Sequence, residues 1–376
     1  MDSIYHQPVR MIPPYRVISR VQILSETQDY NIQLMNVPSM WKQTMGEGVR
    51  VAVLDTGLPK HVDLAPKGGK SFIEGYLEDQ QGHGTHVAGI LAALANNGMG
   101  VAGVAPNCEL WCGAVLGADG SGTFEGIVNG IRWAVDEIGA KVINMSLGVP
   151  TGTPRLTELE KACDYAKSQG VTVVCAAGND ANFVGQPACY DSVLAISAVD
   201  SKKEFAGFSN WGKQVDFAAG GVNVYSTYLN NGYAKLSGTS MSSPAVAGIV
   251  TLILADEYKD NEKWLTPDEV TEKLKKIAFD CGPQGFDEMY GNGIPMFKNG
   301  DSAEPVPEPE PPKKKEPKFC DLSLLFPSAK AFVDAAIQGK DGAEVSSADT
   351  DEMVKRGLKG LQDFLQRVEE VRTRQG

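Results

Sequence analysis

Four polar side chains stand at the ends of apolar runs, where an open α/β sheet presents reactive groups. Asp55 closes the run VRVAVLD and precedes Thr56-Gly57. A carboxylate at the C-terminal end of a buried parallel strand lies where such sheets form active sites. Taken alone, it could equally cap a turn. His83, in GHGTHVAGILAALA, is one of four histidines; His6 lies in a polar leader and His61 in a loop. His86 follows one turn later and reads as structural. An imidazole supplies a general base near neutral pH. Ser240, in LSGTSMSSPAVAGIVTLILA, opens an apolar helix. By itself it reads as an N-cap, but the N–H groups and dipole of a helix start can also stabilise a developing oxyanion. Asn179 ends VTVVCAAGND. Its amide could donate to the same oxyanion, or merely turn the chain after Gly178. Singly these signals are weak. Together they describe a hydroxyl nucleophile, a base, a carboxylate and an oxyanion donor around one sheet.

The elements that must position them follow from the pattern. VRVAVL, ELWCGAVL, KVINMSL, VTVVCAA and SVLAISAV read as strands. HVAGILAALA, FEGIVNGIRWAVDEI and LTELEKACDYAKSQ lie between them and read as helices. That alternation predicts an α/β fold with a mainly parallel central sheet covered on both faces. The 376 residues, 42% of them hydrophobic, suffice for one large domain plus appendages. Residues 1–28 form a polar leader containing Pro8, Pro13 and Pro14, and 29–298 form the α/β domain. Residues 299–318 form a Pro-, Glu- and Lys-rich linker that cannot build a core. Residues 319–376 form a small helical extension, with Met353, Leu358, Leu361, Phe364, Leu365 and Val368 on one side. It reads either as a self-packed tail or as a docking surface for a partner. A net charge of −12 argues against nucleic acid as a partner. The seven cysteines match no metal or disulfide framework, and Cys108 and Cys112 read as core. The N-terminus lacks the apolar core of a signal peptide, and no apolar run is expected to approach the length of a membrane span. A reducing cytoplasm is the expected compartment.

VAVLDTG, GHGTHVAGI, INMSLG, AAGND and GTSMSSPAVAG resemble, in order, the signature blocks of the subtilisin family. The resemblance covers roughly residues 29–255 well, is weaker up to about 298, and implies the three-layer fold of that family. It also implies a serine endopeptidase acting on proteins or peptides, with Asp55, His83 and Ser240 as catalytic triad and Asn179 in the oxyanion hole. LGADGSG is similar to the family's substrate-binding edge strand, which implies that Gly120, Ser121 and Gly122 pair with an extended peptide. Ser146, Leu147 and Gly148 would form the opposite wall, and Gly185 the base of the first specificity pocket. Two positions depart from the pattern: Val149 where a second glycine is frequent, and Ala245 where a histidine is usual.

The resemblance further implies a structural calcium ion held by Asp63 and by the loop LANNGMGV, through Leu94, Asn97, Met99 and Val101. MIPPYRV resembles the inhibitory Leu-Ile-Pro-Tyr segment of intracellular subtilisins, with one proline more. Met11, Ile12, Pro13, Pro14 and Tyr15 would then lie across the cleft until the leader is cut between about Tyr15 and Gln28. Intracellular relatives also imply pairing as a homodimer.

Overall fold

The computed structural model describes the strands Pro8–Met11 and Arg20–Val21 together with residues 25–149 and 152–298. The chain divides into the units Met1–Ala303 and Glu304–Gly376. The expected linker and helical extension, with its docking role, lie outside the described residues.

Seven parallel strands form the central sheet, in the order Val215–Gly220, Leu194–Val199, Thr172–Ala176, Val142–Met145, Arg50–Asp55, Glu109–Ala114, Gly68–Ser71. The strand Arg50–Asp55 shows why both faces are covered. Val51 and Val53 enter one hydrophobic cluster, whereas Ala52 and Leu54 enter the other, and none is more than 1% exposed. Alternate side chains point to opposite faces, so an unbroken apolar run requires helices on each side. The helices His83–Ala92 and Thr239–Asn261 contribute to the first cluster, and Phe124–Asp136 and Thr157–Ser168 to the second. The three-layer α/β expectation holds.

Arg50–Asp55 is also where strand order reverses. From it the chain goes first to the edge strand Gly68–Ser71, returns to Glu109–Ala114 between the two, and then crosses to the other side from Val142 onward. A crevice opens beyond the C-terminal end of such a strand, the end that carries Asp55.

One sequence expectation needs correction. The helix Thr239–Asn261 is long and apolar enough, by composition, to span a membrane. However, 94% of its most apolar stretch is buried within the domain. It is a core helix, apolar all round because it is covered all round. Two strands of this sheet were not anticipated from the sequence. Gly68–Ser71 is short and glycine-rich, with poor strand propensity, and Val215–Gly220 closes the other edge.

Candidate active site

The helix His83–Ala92 begins directly beyond the tip of the strand Arg50–Asp55. His83 Nδ1 lies 2.8 Å from Asp55 Oδ1, and the two side chains are 0% and 1% exposed. The same Asp55 oxygen accepts the Thr56 N–H at 2.7 Å. A carboxylate at Nδ1 places the ring proton on that nitrogen and directs Nε2 outward as a base.

This corner is organised by Asp79, which motif reading missed. The helix has Gly82 as its N-cap, with no side chain to cap it. Asp79 supplies the acceptor instead. It accepts the N–H groups of Gln81 and Gly82 at 2.9 Å and Thr85 N–H at 2.8 Å. Two hydroxyls complete the shell: Thr85 at 2.6 Å and Thr56 at 2.9 Å. Thr56 Oγ1 in turn accepts Gly84 N–H at 2.8 Å. One buried carboxylate thus ties the residue after Asp55 to residues on both sides of His83. An Asp four positions before a helical histidine, with glycine at the helix start, was the available signal.

Ser240 lies in the first turn of Thr239–Asn261, a helix that packs against His83–Ala92. Pro244, four residues on, has no N–H for the Ser240 carbonyl. The Ser146 hydroxyl fills the vacancy, donating to that carbonyl at 2.9 Å. Reciprocally, the Ser240 hydroxyl donates to the Ser146 carbonyl at 3.3 Å. Asn179 Oδ1 accepts from Thr239 N–H at 2.8 Å and from its hydroxyl at 2.9 Å. These two donors fix which end of the amide is oxygen and leave Nδ2 as the outward donor. It lies 3.0 Å from where a Cβ on Gly238 would sit, so the close approach requires glycine. Asp55, His83, Asn179 and Ser240 are therefore all buried at the sheet's crevice end. His86, by contrast, is structural as expected. Its Nε2 lies 3.1 Å from the Val224 carbonyl and 3.0 Å from that of Ala234, and burial pushes its pKa down to about 3.

The expected peptide-binding rims flank this site. Gly120 closes a turn, its N–H donating to the Gly117 carbonyl at 2.8 Å, and leads into the edge strand Ser121–Thr123. Leu147–Gly148 forms the second rim, directly after Ser146. Between them lies the leader strand Pro8–Met11, antiparallel to both. Val9 is opposite Gly122, Arg10 is opposite Ser121 and Gly148, and Met11 is opposite Leu147. Further along, Arg20–Val21 adds to the edge of Gly232–Leu236, a pairing that the sequence did not suggest. Of the expected inhibitory residues, Met11 ends the cleft strand; Ile12, Pro13, Pro14 and Tyr15 lie outside the described residues. Gly185 N–H donates to the Ala177 carbonyl at 3.4 Å, placing it near the end of the strand that leads to Asn179.

The calcium expectation can be tested against the donors. Among the described residues, no three His, Cys, Asp or Glu side chains cluster as metal ligands. Asp63 is nevertheless fully buried, with the loop 94–101 closed around it. Its carboxylate accepts from Asn97 Nδ2 at 2.5 Å, Val101 N–H at 2.9 Å and the Tyr233 hydroxyl at 3.2 Å. Leu94 N–H binds the Asp63 carbonyl at 3.0 Å, and Met99 N–H binds Asn97 Oδ1 at 2.9 Å. Glu26, not anticipated, accepts Asn97 N–H at 3.0 Å and brings a second carboxylate to the loop. The oxygens a hard cation would need, those of Asp63, Glu26 and Asn97 Oδ1, here accept N–H and O–H donors, and Leu94, Met99 and Val101 offer their N–H groups to the site.

Comparison with known proteins agrees with the geometry. Residues 46–293 match the model of the subtilase family, peptidase S8. Subtilisin DY of Bacillus licheniformis is 45% identical over 279 residues, 72% of this chain and 97% of the relative. An alkaline protease of Alkalihalobacillus alcalophilus is 42% identical over 280 residues, 73% of this chain and 70% of the relative. Subtilisin Savinase of Lederbergia lenta is 45% identical over 252 residues, 66% of this chain and 89% of the relative. The chain belongs to the subtilase family of serine endopeptidases.

Proposed function

We propose that this enzyme hydrolyses protein substrates through an acyl-enzyme on Ser240. The buried 2.8 Å contact between Asp55 and His83 carries this reading. In the proposed cycle the Ser240 hydroxyl leaves the Ser146 carbonyl, gives its proton to His83 Nε2 and attacks the scissile carbonyl. Asn179 Nδ2 and the Ser240 N–H receive the oxyanion. His83 then protonates the leaving amine and next takes a proton from a water that attacks the acyl-enzyme, releasing the acid and returning the proton to Ser240, while Asp55 stabilises the imidazolium. Labelling by a fluorophosphonate should be complete in the trimmed wild type and absent in Ser240→Ala. Labelling that survives in Ser240→Ala would overturn the assignment.

The leader is a built-in inhibitor on the same reading. The pairing of Pro8–Met11 with both rims supports it, because an extended substrate would use the same two edges. The bond after Ile12 leads to Pro13, which has no N–H and a fixed φ. Cleavage between about Tyr15 and Gln28 then frees the cleft. In a protease-free host, wild type should be trimmed and Ser240→Ala should remain full length. Equal trimming of both would exclude self-processing, and full activity of an untrimmed enzyme would exclude inhibition.

Calcium at Asp63 would crosslink the 94–101 loop to the segment carrying Glu26 and act on stability, not chemistry. A chelator should lower the melting temperature of Ser240→Ala, and Asp63→Ala should abolish that response. A cytoplasmic site of action is supported by the cysteines: the six described ones are free thiols, five of them buried.

A further inference from the structure

Gln186 follows Gly185 and is only 8% exposed. Its carboxamide is fully engaged. Nε2 donates to the carbonyls of Thr153 and Pro154 at 3.2 and 3.1 Å. Oε1 accepts the Leu156 N–H and the Tyr190 hydroxyl, each at 2.7 Å. The Gln186 main-chain carbonyl also accepts Val149 N–H at 3.1 Å.

These partners belong to two walls. Val149 continues the cleft strand Leu147–Gly148, and Thr153 to Leu156 lead into the helix Thr157–Ser168. Leu156 is the N-cap of that helix and offers no side-chain acceptor. The other wall is the turn holding Gly185 and Tyr190, joined to the sheet through Ala177. Gly185 itself borders open space: a Cβ added there would meet only the Val149 carbonyl, at 3.8 Å. A single buried amide therefore spans the back of the crevice between the walls.

We propose that Gln186 is a positioning residue that sets the width of the first specificity pocket and so selects the side chain preceding the scissile bond. This rests on Gly185 forming the base of that pocket. Gln186 touches neither substrate nor triad; it acts by holding Val149 and the 153–156 segment at a fixed distance from Gly185. Gln186→Met keeps the volume but leaves the Thr153 and Pro154 carbonyls, the Leu156 N–H and the Tyr190 hydroxyl without this partner. Gln186→Glu keeps both acceptor bonds and loses both donor bonds.

The test uses two peptide anilides that differ only in phenylalanine or alanine before the scissile bond. Gln186→Met should change the ratio of their kcat/KM values at least tenfold, through KM, with each kcat and the fluorophosphonate labelling rate within about twofold of wild type. Gln186→Glu, which sets a carboxylate oxygen against the Thr153 and Pro154 carbonyls, should shift the ratio in the same direction. If Gln186→Met does not fold, Tyr190→Phe removes one of the four bonds and should shift the ratio about twofold. Parallel losses on both substrates, or an unchanged ratio, would overturn the latch. Gly185→Leu separates the two layers. If it alters the ratio while Gln186→Met does not, only the latch fails. If Gly185→Leu leaves the ratio unchanged, the pocket assignment itself is wrong.

Discussion

The corner around His83 and the rims of the cleft are neighbours built by opposite means. At the corner, side chains do the holding: Asp79 gathers five donors, and Asp55 meets His83 inside the core. At the rims, Ser121–Thr123 and Leu147–Gly148 present main chain, and the leader pairs with them through its backbone. Proton transfer needs groups held within a few tenths of an ångström. Recognition of many sequences instead needs edges that read only the backbone. Damage at the corner should therefore abolish turnover or folding, whereas damage at a rim should weaken binding in a graded way.

The sharpest break is Ser240→Ala. Its kcat should fall about 10⁶-fold, a magnitude taken from subtilisin itself. Folding free energy should stay within about 1 kcal/mol, because one long hydrogen bond is lost. Turnover of a chromogenic peptide and urea unfolding measure the two quantities.

Asp79→Ala strips the acceptor from five buried or half-buried donors. A loss of roughly 3–5 kcal/mol is expected in urea unfolding, on a Ser240→Ala background that prevents autolysis. A loss below 1 kcal/mol would show that the corner is held by something else.

His86 supplies a pH test of the same region. Its pKa is about 3 in the folded protein, against 6.5 as the ordinary value. Between those values the unfolded chain takes up a proton that the folded chain refuses. Stability contributed by neutral His86 is therefore complete above pH 6.5 and lost as pH falls toward 3. Between pH 7 and 4 this amounts to roughly 3 kcal/mol. His86→Gln should unfold with a weaker pH dependence over that range, and an unchanged dependence would refute the assignment.

The smallest effect is expected at a rim. A Cβ on Gly122 would lie 2.1 Å from the Val115 carbonyl, so Gly122→Ala must displace the edge strand. KM should rise about tenfold with kcat nearly unchanged; a collapse of kcat would mean that rim and corner are not separable.

The proposed triad was legible because each member lies in a compact block: Asp55 at the end of an apolar strand, His83 between glycines, Ser240 before a long apolar helix. The strand-helix alternation was legible for a similar reason, since periodicity is a local property. Asp79, Glu26 and Gln186 were not. Glu26 meets Asn97 from 71 residues away, and Gln186 reaches back 30 to 33 residues to its amide partners. Asp79 carried only the weak signal of its place before a glycine-started helix, and nothing in the sequence around Glu26 or Gln186 marks either as a hub. The apolar character of Thr239–Asn261 was equally ambiguous, because composition does not distinguish a helix buried in protein from one buried in lipid.

The chain's own order of residues determined the reaction class, the layered sheet and the four chemical groups, because those depend on residue type and short-range period. Tertiary structure alone decided which distant polar groups share a proton or an amide. That choice is made when elements far apart in the chain are packed together and every buried donor must find an acceptor.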